Sequence, residues 1–513
     1  MSFPVTILRN GAEIVSVKPD SSSNQQKAVM GDNIINLQFN LNRLVQFKIG
    51  DHCTVYGENY YLNALPNIKK ESTVLYEYTL AMQSEYYDLS KAQFLFYDGN
   101  NQLKEGVFSL MGNPDTFVDL LIKNANRIGA GWTKGTVING PYVNMSFNSE
   151  SCLAVLSRVS EQFGTEYFIK GKKITLDKRL VDRGITLRQG KDKGLYDIER
   201  QNFSDSNVIT RLYAFGSSQN LPPDYRNYAQ RLRMTGGIFF LEKNTDKYGI
   251  VESTQVFEEI YPHRTGKVTA VNAGNVFTFK DSSLDFNVNN QLLPGVSAKV
   301  VFNTGQLSGY TFDIQSFNNI TKEFTVLKNK DEKAIDVPST IFRAAIGDEY
   351  VLVDIQMPQT YIDAAEAALK TAAQDLLNTY SEPLVQLVVT CDPAYFRRKS
   401  ITVDIGDLVW ITDANLEINK RIRITSFTRN FDDEYTYQLT LSDAVSSGPI
   451  QDLSNGVSNN ARDISDINSR LNNRNSENNF VGEVIMADIP STTDTTGMFA
   501  VFVDGSGKLF KKL

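Results

Sequence analysis

Along most of the chain apolar and polar residues alternate with period two, and Gly, Asn and Asp punctuate the runs, which is the pattern of antiparallel sheet. Residues 35–39 (Ile-Asn-Leu-Gln-Phe), 73–80 (Thr-Val-Leu-Tyr-Glu-Tyr-Thr-Leu) and 421–425 (Arg-Ile-Arg-Ile-Thr) show it. Three segments carry the helical period instead. One begins with Asn113 as N-cap and Pro114 in the first turn, and puts Phe117, Leu120, Leu121 and Ala125 on one face. A second begins at Ser149, runs through Leu153, Leu156, Val159 and Phe163, and stops at Gly164. The third starts at Thr360, with Asp363 three residues on, and passes Ala364, Ala367, Ala368 and Leu376 toward Tyr380. Its alanine-rich face predicts close packing on another layer.

The chain repeats itself. Ile49-Gly50-Asp51 is followed 27 positions later by Tyr76-Glu77-Tyr78-Thr79-Leu80, and Ile405-Gly406-Asp407 is followed 30 positions later by Tyr435-Thr436-Tyr437-Gln438-Leu439. A Gly-Asp turn opening a meander that ends in a Tyr-rich strand predicts one small barrel built twice, with its turns at Gly50, Asp51, Gly406 and Asp407. A third Ile346-Gly347-Asp348 has no later Tyr strand.

Past the last of these strands the period changes to three and four. Ile450, Leu453, Val457, Asn460, Ile464, Ile467 and Leu471 form an a/d stripe over three heptads with polar flanks, the signature of a coiled coil. A lone Asn460 in that seam fixes register and oligomer state, while Gly456 weakens the first heptad. A polar linker follows at 472–479. The end of the chain, with Gly505 and Gly507 between two apolar runs, predicts a hairpin too small to stand alone.

Composition narrows the chemistry. At 513 residues the chain holds about three or four domains. Apolar residues at 41%, with 30 Phe and 23 Tyr, are ample for cores, and 52 basic against 59 acidic residues leave a net charge of −7, unlike a nucleic-acid-binding surface. No run of 18 apolar residues exists, so no stable membrane insertion is expected, and the first residues carry no secretory leader pattern. The only histidines, His52 and His263, lie 211 positions apart, and no HExxH is present. His52 adjoins Cys53, but strand neighbours face opposite sides, so they form no catalytic pair. Cys53, Cys152 and Cys391 form no CxxC pair and are expected to be buried small residues. Gly129 to Gly135 lacks phosphate-loop spacing and is expected to be a plain loop. Asp281, Asp285, Glu258 and Glu259 sit among Asn, Ser and Thr and are expected on a solvated face, although a paired-carboxylate glycosidase needs only proximity in space. No enzyme, metal or cofactor is expected.

Several stretches, in their order along the chain, resemble the family of phage tail hub proteins, also called tail-tip, baseplate hub or tail-associated proteins. They are Met30-Gly31-Asp32-Asn33 to Phe47-Lys48-Ile49-Gly50-Asp51, Glu85-Tyr86-Tyr87-Asp88-Leu89, residues 152–156 with 163–168, residues 194–196, residues 207–216 with Gln219 to Pro222, and Ala345-Ile346-Gly347-Asp348 through Met357-Pro358 to Glu366. The resemblance covers about residues 1 to 450. It implies a β-rich α+β, multidomain chain: two related antiparallel β-barrels, an α+β middle domain, a β-rich insert and the C-terminal coiled coil. The expected boundaries are 1–105 for a first tube-type barrel and 106–200 for the middle domain. Residues 201–235 with 381–449 would form a discontinuous second barrel, including the 208–215 strand. Residues 236–380 would hold the insert and the Ala-rich helix, 450–475 the coil, and 476–513 the linker and hairpin.

The resemblance also implies a structural virion protein at the tail tip, assembled in the host cytoplasm. It would be a homotrimer whose six barrels adapt a sixfold tail tube or distal-tail ring to threefold spike or fibre proteins. The tape-measure protein and DNA would pass through its lumen, with the hub forming or gating that channel during ejection. Some relatives carry a lytic domain after the hub; the 63 residues after position 450 are too few for one and contain no Cys or His. Two rival readings are a contractile injection machine's hub and a glycan-binding or glycan-degrading appendage. The latter would draw on Phe239, Phe240, Tyr248, Tyr261, Phe277 and Phe279 stacking on sugar rings.

Overall fold

Period-two alternation becomes strands with one buried face. In residues 33–41, Asn33, Ile35, Leu37 and Phe39 turn inward and the residues between them face outward. The computed structural model describes residues 4–97, 101–202, 208–330, 336–442, 501–503 and 509–511. The chain divides into two units, Met1–Gln451 and Asp452–Leu513. Of the second, Val501–Val503 pairs antiparallel with Leu509–Lys511, the expected hairpin strands. The coil positions Ile450, Leu453, Val457, Asn460, Ile464, Ile467 and Leu471 lie outside the described residues.

The first body contains β1 (Val5–Arg9), β2 (Ala12–Val17), β3 (Asn24–Ala28), β4 (Asn33–Leu41), β5 (His52–Val55), β6 (Glu58–Leu62), β7 (Asn67–Ser72) and β8 (Leu75–Ser84). Their order is β2-β1-β5-β6-β8-β4-β3, with β7 also on β8. The strands wrap one core that includes Ile7, Leu37, Val55, Tyr60 and Tyr78.

The middle body pairs β9 (Val107–Gly112) with a later strand, and the Pro114–Ile128 helix starts as its sequence predicts. Asn113 Oδ1 accepts Thr116 N–H at 3.0 Å, and Pro114 occupies the first turn. β10 (Thr133–Val137) emerges from the glycine loop, so that segment is strand in its second half. β11 (Val143–Asn148) pairs β9, and the Cys152–Gln162 helix follows. Its cap is Ser151, whose hydroxyl accepts Ala154 N–H, and not Ser149, which sits at φ 53° in the left-handed region just before it. β12 (Tyr167–Lys170) and β13 (Lys173–Leu176) complete the layer.

β14 (Val181–Gln189) and β15 (Gly194–Asn202) then enter the second barrel. The strand expected there, β16 (Arg211–Gly216), pairs instead with β17 (Phe240–Glu242) and β18 (Glu252–Phe257). This small sheet buries Leu212 and Ala214 against the Gln359–Tyr380 helix. The helix packs through Ile362, Ala365, Leu369, Ala373 and Leu377, whereas Ala364, Ala367 and Ala368 face solvent, the reverse of the expected alanine contact. Its one buried charge, Glu366, is held by Tyr225 Oη (2.7 Å) and by Arg226 Nε (2.7 Å) and Nη2 (2.6 Å).

The insert comprises β19 (Thr265–Lys267), β20 (Ala270–Asn272), β21 (Asn275–Lys280), β22 (Lys299–Phe302), β23 (Thr311–Asn318), β24 (Glu323–Val326) and β25 (Glu349–Val353), ordered β19-β25-β22-β23-β24-β21-β20. Val268 N–H donates to Asp348 O and Thr269 N–H to Lys280 O, so β19 and β20 are one run that closes the sheet on a Phe-rich core. The second barrel adds β26 (Val385–Cys391), β27 (Asp407–Asp413), β28 (Ile418–Asn430) and β29 (Tyr437–Ser442), closing as β28-β27-β14-β15-β26-β29.

At 13 residues, β28 is longer than the barrel needs. Its first half pairs β27 (Leu408↔Arg423 to Asp413↔Ile418), and past Thr425 the same edge takes β3 of the first body, Ala28↔Ser426 to Asn24↔Asn430. One fourteen-stranded sheet therefore runs through both bodies. Just beyond β28, Phe431 is fully buried in the first body's core, at 5.6 Å from Tyr56. Phe431→Ala is expected to cost about 3–5 kcal/mol by leaving a cavity across the joint. Hydrogen exchange should then rise in β3 to β8 while β26 and β27 stay protected; uniform protection would show that the joint does not depend on this ring.

Candidate assembly interface

Three Ile-Gly-Asp segments fold into one turn. Asp51 N–H donates to Lys48 O (3.1 Å), Lys48 N–H donates to Asp51 Oδ2 (2.7 Å), and Gly50 N–H crosses to Leu62 O (2.9 Å). The same bonds join Asp407 with Asp404 (3.2 and 2.9 Å) and Gly406 with Ile424 O (2.8 Å). They recur between Asp348 and Ala345 (3.1 and 2.8 Å) and from Gly347 to Val268 O (2.8 Å). The glycines sit at φ 94°, 83° and 97°, where a β-carbon is disfavoured. The third copy, at β25, thus has the turn without the Tyr-rich strand.

Rung by rung, the first two copies coincide. Leu62 lies opposite Met82 as Ile424 lies opposite Leu441, and Ile68 lies opposite Tyr78 as Arg429 lies opposite Tyr437. The buried alternation also matches, with Tyr78 and Leu80 in one body and Tyr437 and Leu439 in the other. β6 and β7, interrupted at 63–66, together occupy the place of the unbroken β28.

The cations that hold these aspartates differ. Arg9 Nε and Nη2 both lie 2.7 Å from Asp51 oxygens, and Arg179 Nη2 lies 2.8 Å from Asp407. Burial opposes ionisation of Asp51, but Arg9 and the Lys48 N–H outweigh it and hold the carboxyl below its usual range. Asp348 has no cation partner among the described residues, and burial pushes its carboxyl up.

The joint between the bodies is polar at its centre. Lys27 on β3, only 3% exposed, places Nζ 2.6 Å from Glu58 of the first body and 3.0 Å from Asp404 of the second barrel's turn. Burial depresses its basicity, yet Asp404 and Glu58 more than offset this and raise it. Asn33 Nδ2 donates to Glu58 (2.6 Å), and Tyr60 Oη donates to Asn33 (2.9 Å). The middle body joins through Arg423 on Glu166 (2.8 Å) and Tyr167 Oη on Met30 O (3.3 Å). Beside the joint a cleft of about 380 Å³ is lined by Gln26, Asp32, Val388, Phe427 and Gln438. Alternation gave no warning of Lys27, because Asn24-Gln25-Gln26-Lys27 contains no apolar residue.

The remaining candidates fall apart in space. Cys53, Cys152 and Cys391 are buried as expected, with thiols pushed up by burial, Cys53 and Cys152 to about 12. His52 stacks on Tyr61 at 5.4 Å, and His263 Nδ1 lies 2.8 Å from Tyr261 O. Asp281, expected on a solvated face, is instead fully buried, accepting from Arg264 (2.8 Å), Tyr350 Oη (2.9 Å) and Ser283. Asp285 stays exposed and accepts from Tyr361 Oη. Phe239 and Phe240 are exposed beside β16, each under an arginine, whereas Phe279 is core of the insert barrel. Phe279 is thereby closed to a sugar ring, while Phe239 and Phe240 are open to solvent. No group of three or more His, Cys, Asp and Glu positioned for a metal occurs among the described residues, and no described helix is long and apolar enough to cross a membrane.

The chain is similar in structure to prophage tail proteins. Prophage tail protein gp18 of Listeria monocytogenes matches with 10% identity over 87% of this chain and 96% of its own, at TM-score 0.46. The 43 kDa tail protein of prophage MuSo2 from Shewanella oneidensis matches with 11% identity over 86% and 97%, at 0.46. A tail protein of Neisseria meningitidis matches with 10% identity over 86% and 97%, at 0.45. No family model and no curated protein matches the chain in sequence.

The aspartates should respond oppositely to neutralisation. A folded value below the unfolded one makes the Asp51 contribution present above pH about 4 and lost as pH falls through the folded value. For Asp348 the folded value is the higher, so its ionisation works against folding as pH rises through the usual carboxylate range. Asp51→Asn should destabilise by about 1–3 kcal/mol at pH 7 and by less at pH 3. Asp348→Asn should be neutral or stabilising at pH 7. Urea midpoints of both variants at the two pH values check this.

Proposed function

We propose that this chain is the hub of a phage or phage-derived tail, a structural protein without catalysis that sits at the tail tip. The observation that carries the proposal is the duplication: two bodies share one turn, one meander and one tyrosine register, and are fused along β28. A chain with two equivalent units supplies six when three copies assemble, which is how a trimer meets a sixfold tube while offering threefold symmetry to other proteins.

In this reading the linked bodies form the ring that docks on the distal tail or tube. The middle body, the insert and the 450–471 coil face the spike or fibre proteins and close the channel until the tape-measure protein and DNA leave. A net charge of −7 suits passage of DNA without adhesion, since phosphate contacts from Lys and Arg are what make a surface stick.

Multi-angle light scattering on the purified 57.5 kDa chain should give about three times the monomer mass, with rings in negative stain. A chain ending at Gly448 that loses the trimer assigns association to the coil; one that keeps it assigns association to the barrels. A monomer for both chains at every concentration would overturn the hub reading.

A further inference from the structure

The duplication leaves a mismatch at its two ends. In the second barrel the outer edge of β28 is occupied by β3. Its counterpart β7 pairs only with β8, and among the described residues nothing pairs with its other edge, although all six of its residues are exposed. The acceptor side is matched. β3 has β4 on one edge and β28 on the other. Its counterpart is β15, because Gln25 lies opposite Ile35 as Arg200 lies opposite Leu387, and Ile35 faces Met82 as Leu387 faces Leu441. β15 has β26 on one edge, while β14 covers only Gly194 and Leu195 on the other. Beyond Leu195 that edge too has no strand partner among the described residues. Each monomer therefore carries one unpaired donor edge and one unpaired acceptor edge, of the same kinds that join in its middle.

We infer that β7 of one copy adds to β15 of the next, reproducing between chains the β28–β3 joint made within each chain. The occupant is a second copy of this chain, because continuity with the internal joint fixes partner, direction and register. The internal pairs Thr428↔Gln26, Arg429↔Gln25 and Asn430↔Asn24 map to Asn67↔Gln201, Ile68↔Arg200 and Lys69↔Glu199. The last sets opposite charges across the strands, a favourable cross-strand pair. Surface hydrophobicity agrees: Leu65, Ile68 and Val74 around β7 are 71%, 42% and 64% exposed, and Tyr196 on β15 is 58% exposed. Ile405, in the turn covered by the internal joint, is 5% exposed, whereas its counterpart Ile49 is 64% exposed. Unpaired edges of this kind are otherwise an aggregation hazard. Because donor and acceptor are different patches, the contact is head to tail, and it generates a ring where the rotation from copy to copy closes.

This inference rests on the hub reading and names the surface that reading needs. The test is a full-length chain carrying Ile68→Cys and Arg200→Cys together, oxidised and run without reductant, beside each single variant. The native cysteines are buried and give little background. The double variant should form a covalent ladder at two and three times the monomer mass, with each single variant giving under about a tenth of that yield. Pairing Ile68→Cys with Glu199→Cys, which faces the other side of the strand, should cross-link several-fold less. If light scattering shows that the unmodified chain assembles while the double variant cross-links no more than the single ones, the edge pairing is wrong and the hub reading stands. If the unmodified chain is monomeric throughout, both fall.

Discussion

Everything in the first unit hangs on a single strand serving two bodies. β28 is a wall of the closed second barrel and also the strand on which the first body's β3 is built. Backbone hydrogen bonds across this boundary satisfy groups that would otherwise be exposed at an edge, so the two cores cannot be separated without breaking a ladder. Phe431 adds an apolar anchor and Lys27 a buried charge with two carboxylates around it. Removing either carboxylate would leave the buried ammonium under-compensated, which is costly even where the intact cluster adds little net stability.

The Ile-Gly-Asp turn shows how local chemistry is reused in unlike surroundings. Its hydrogen bonds are internal to four residues plus one carbonyl across the ladder, so it forms wherever a strand must start beside another. What surrounds it is set by the tertiary fold. Arg9 reaches the first aspartate from the end of β1, Arg179 reaches the second from just before β14, and Asp348 has neither and lies beside Gly305, where a β-carbon would run into its carboxylate.

What was legible in the sequence was what local pattern determines. The alternation at 35–39 and 421–425, the Asn113-Pro114 cap and the twofold repeat of turn and Tyr-rich strand are all local signals, and the Tyr78–Tyr437 correspondence holds to the residue. Partner choice was not legible. Arg211 to Gly216 alternates as a barrel strand does, yet it pairs with β17 and β18, because strand pairing depends on distant segments that the run itself does not encode. Asp281 looked solvated because its neighbours are polar; its burial depends on Arg264 and on Tyr350, 69 residues away. The joint itself was hidden for a related reason. β3 is Asn-Gln-Gln-Lys-Ala, with no apolar alternation, and it becomes a central strand through its neighbours.

A shared strand is also a mechanical statement. Two bodies joined by a loop can hinge, but two bodies joined by five rungs of one ladder turn together, with the sheet's own right-handed twist setting the angle between them. That angle is inherited from backbone geometry, so the orientation of the two bodies is decided within the chain, before any other molecule is met.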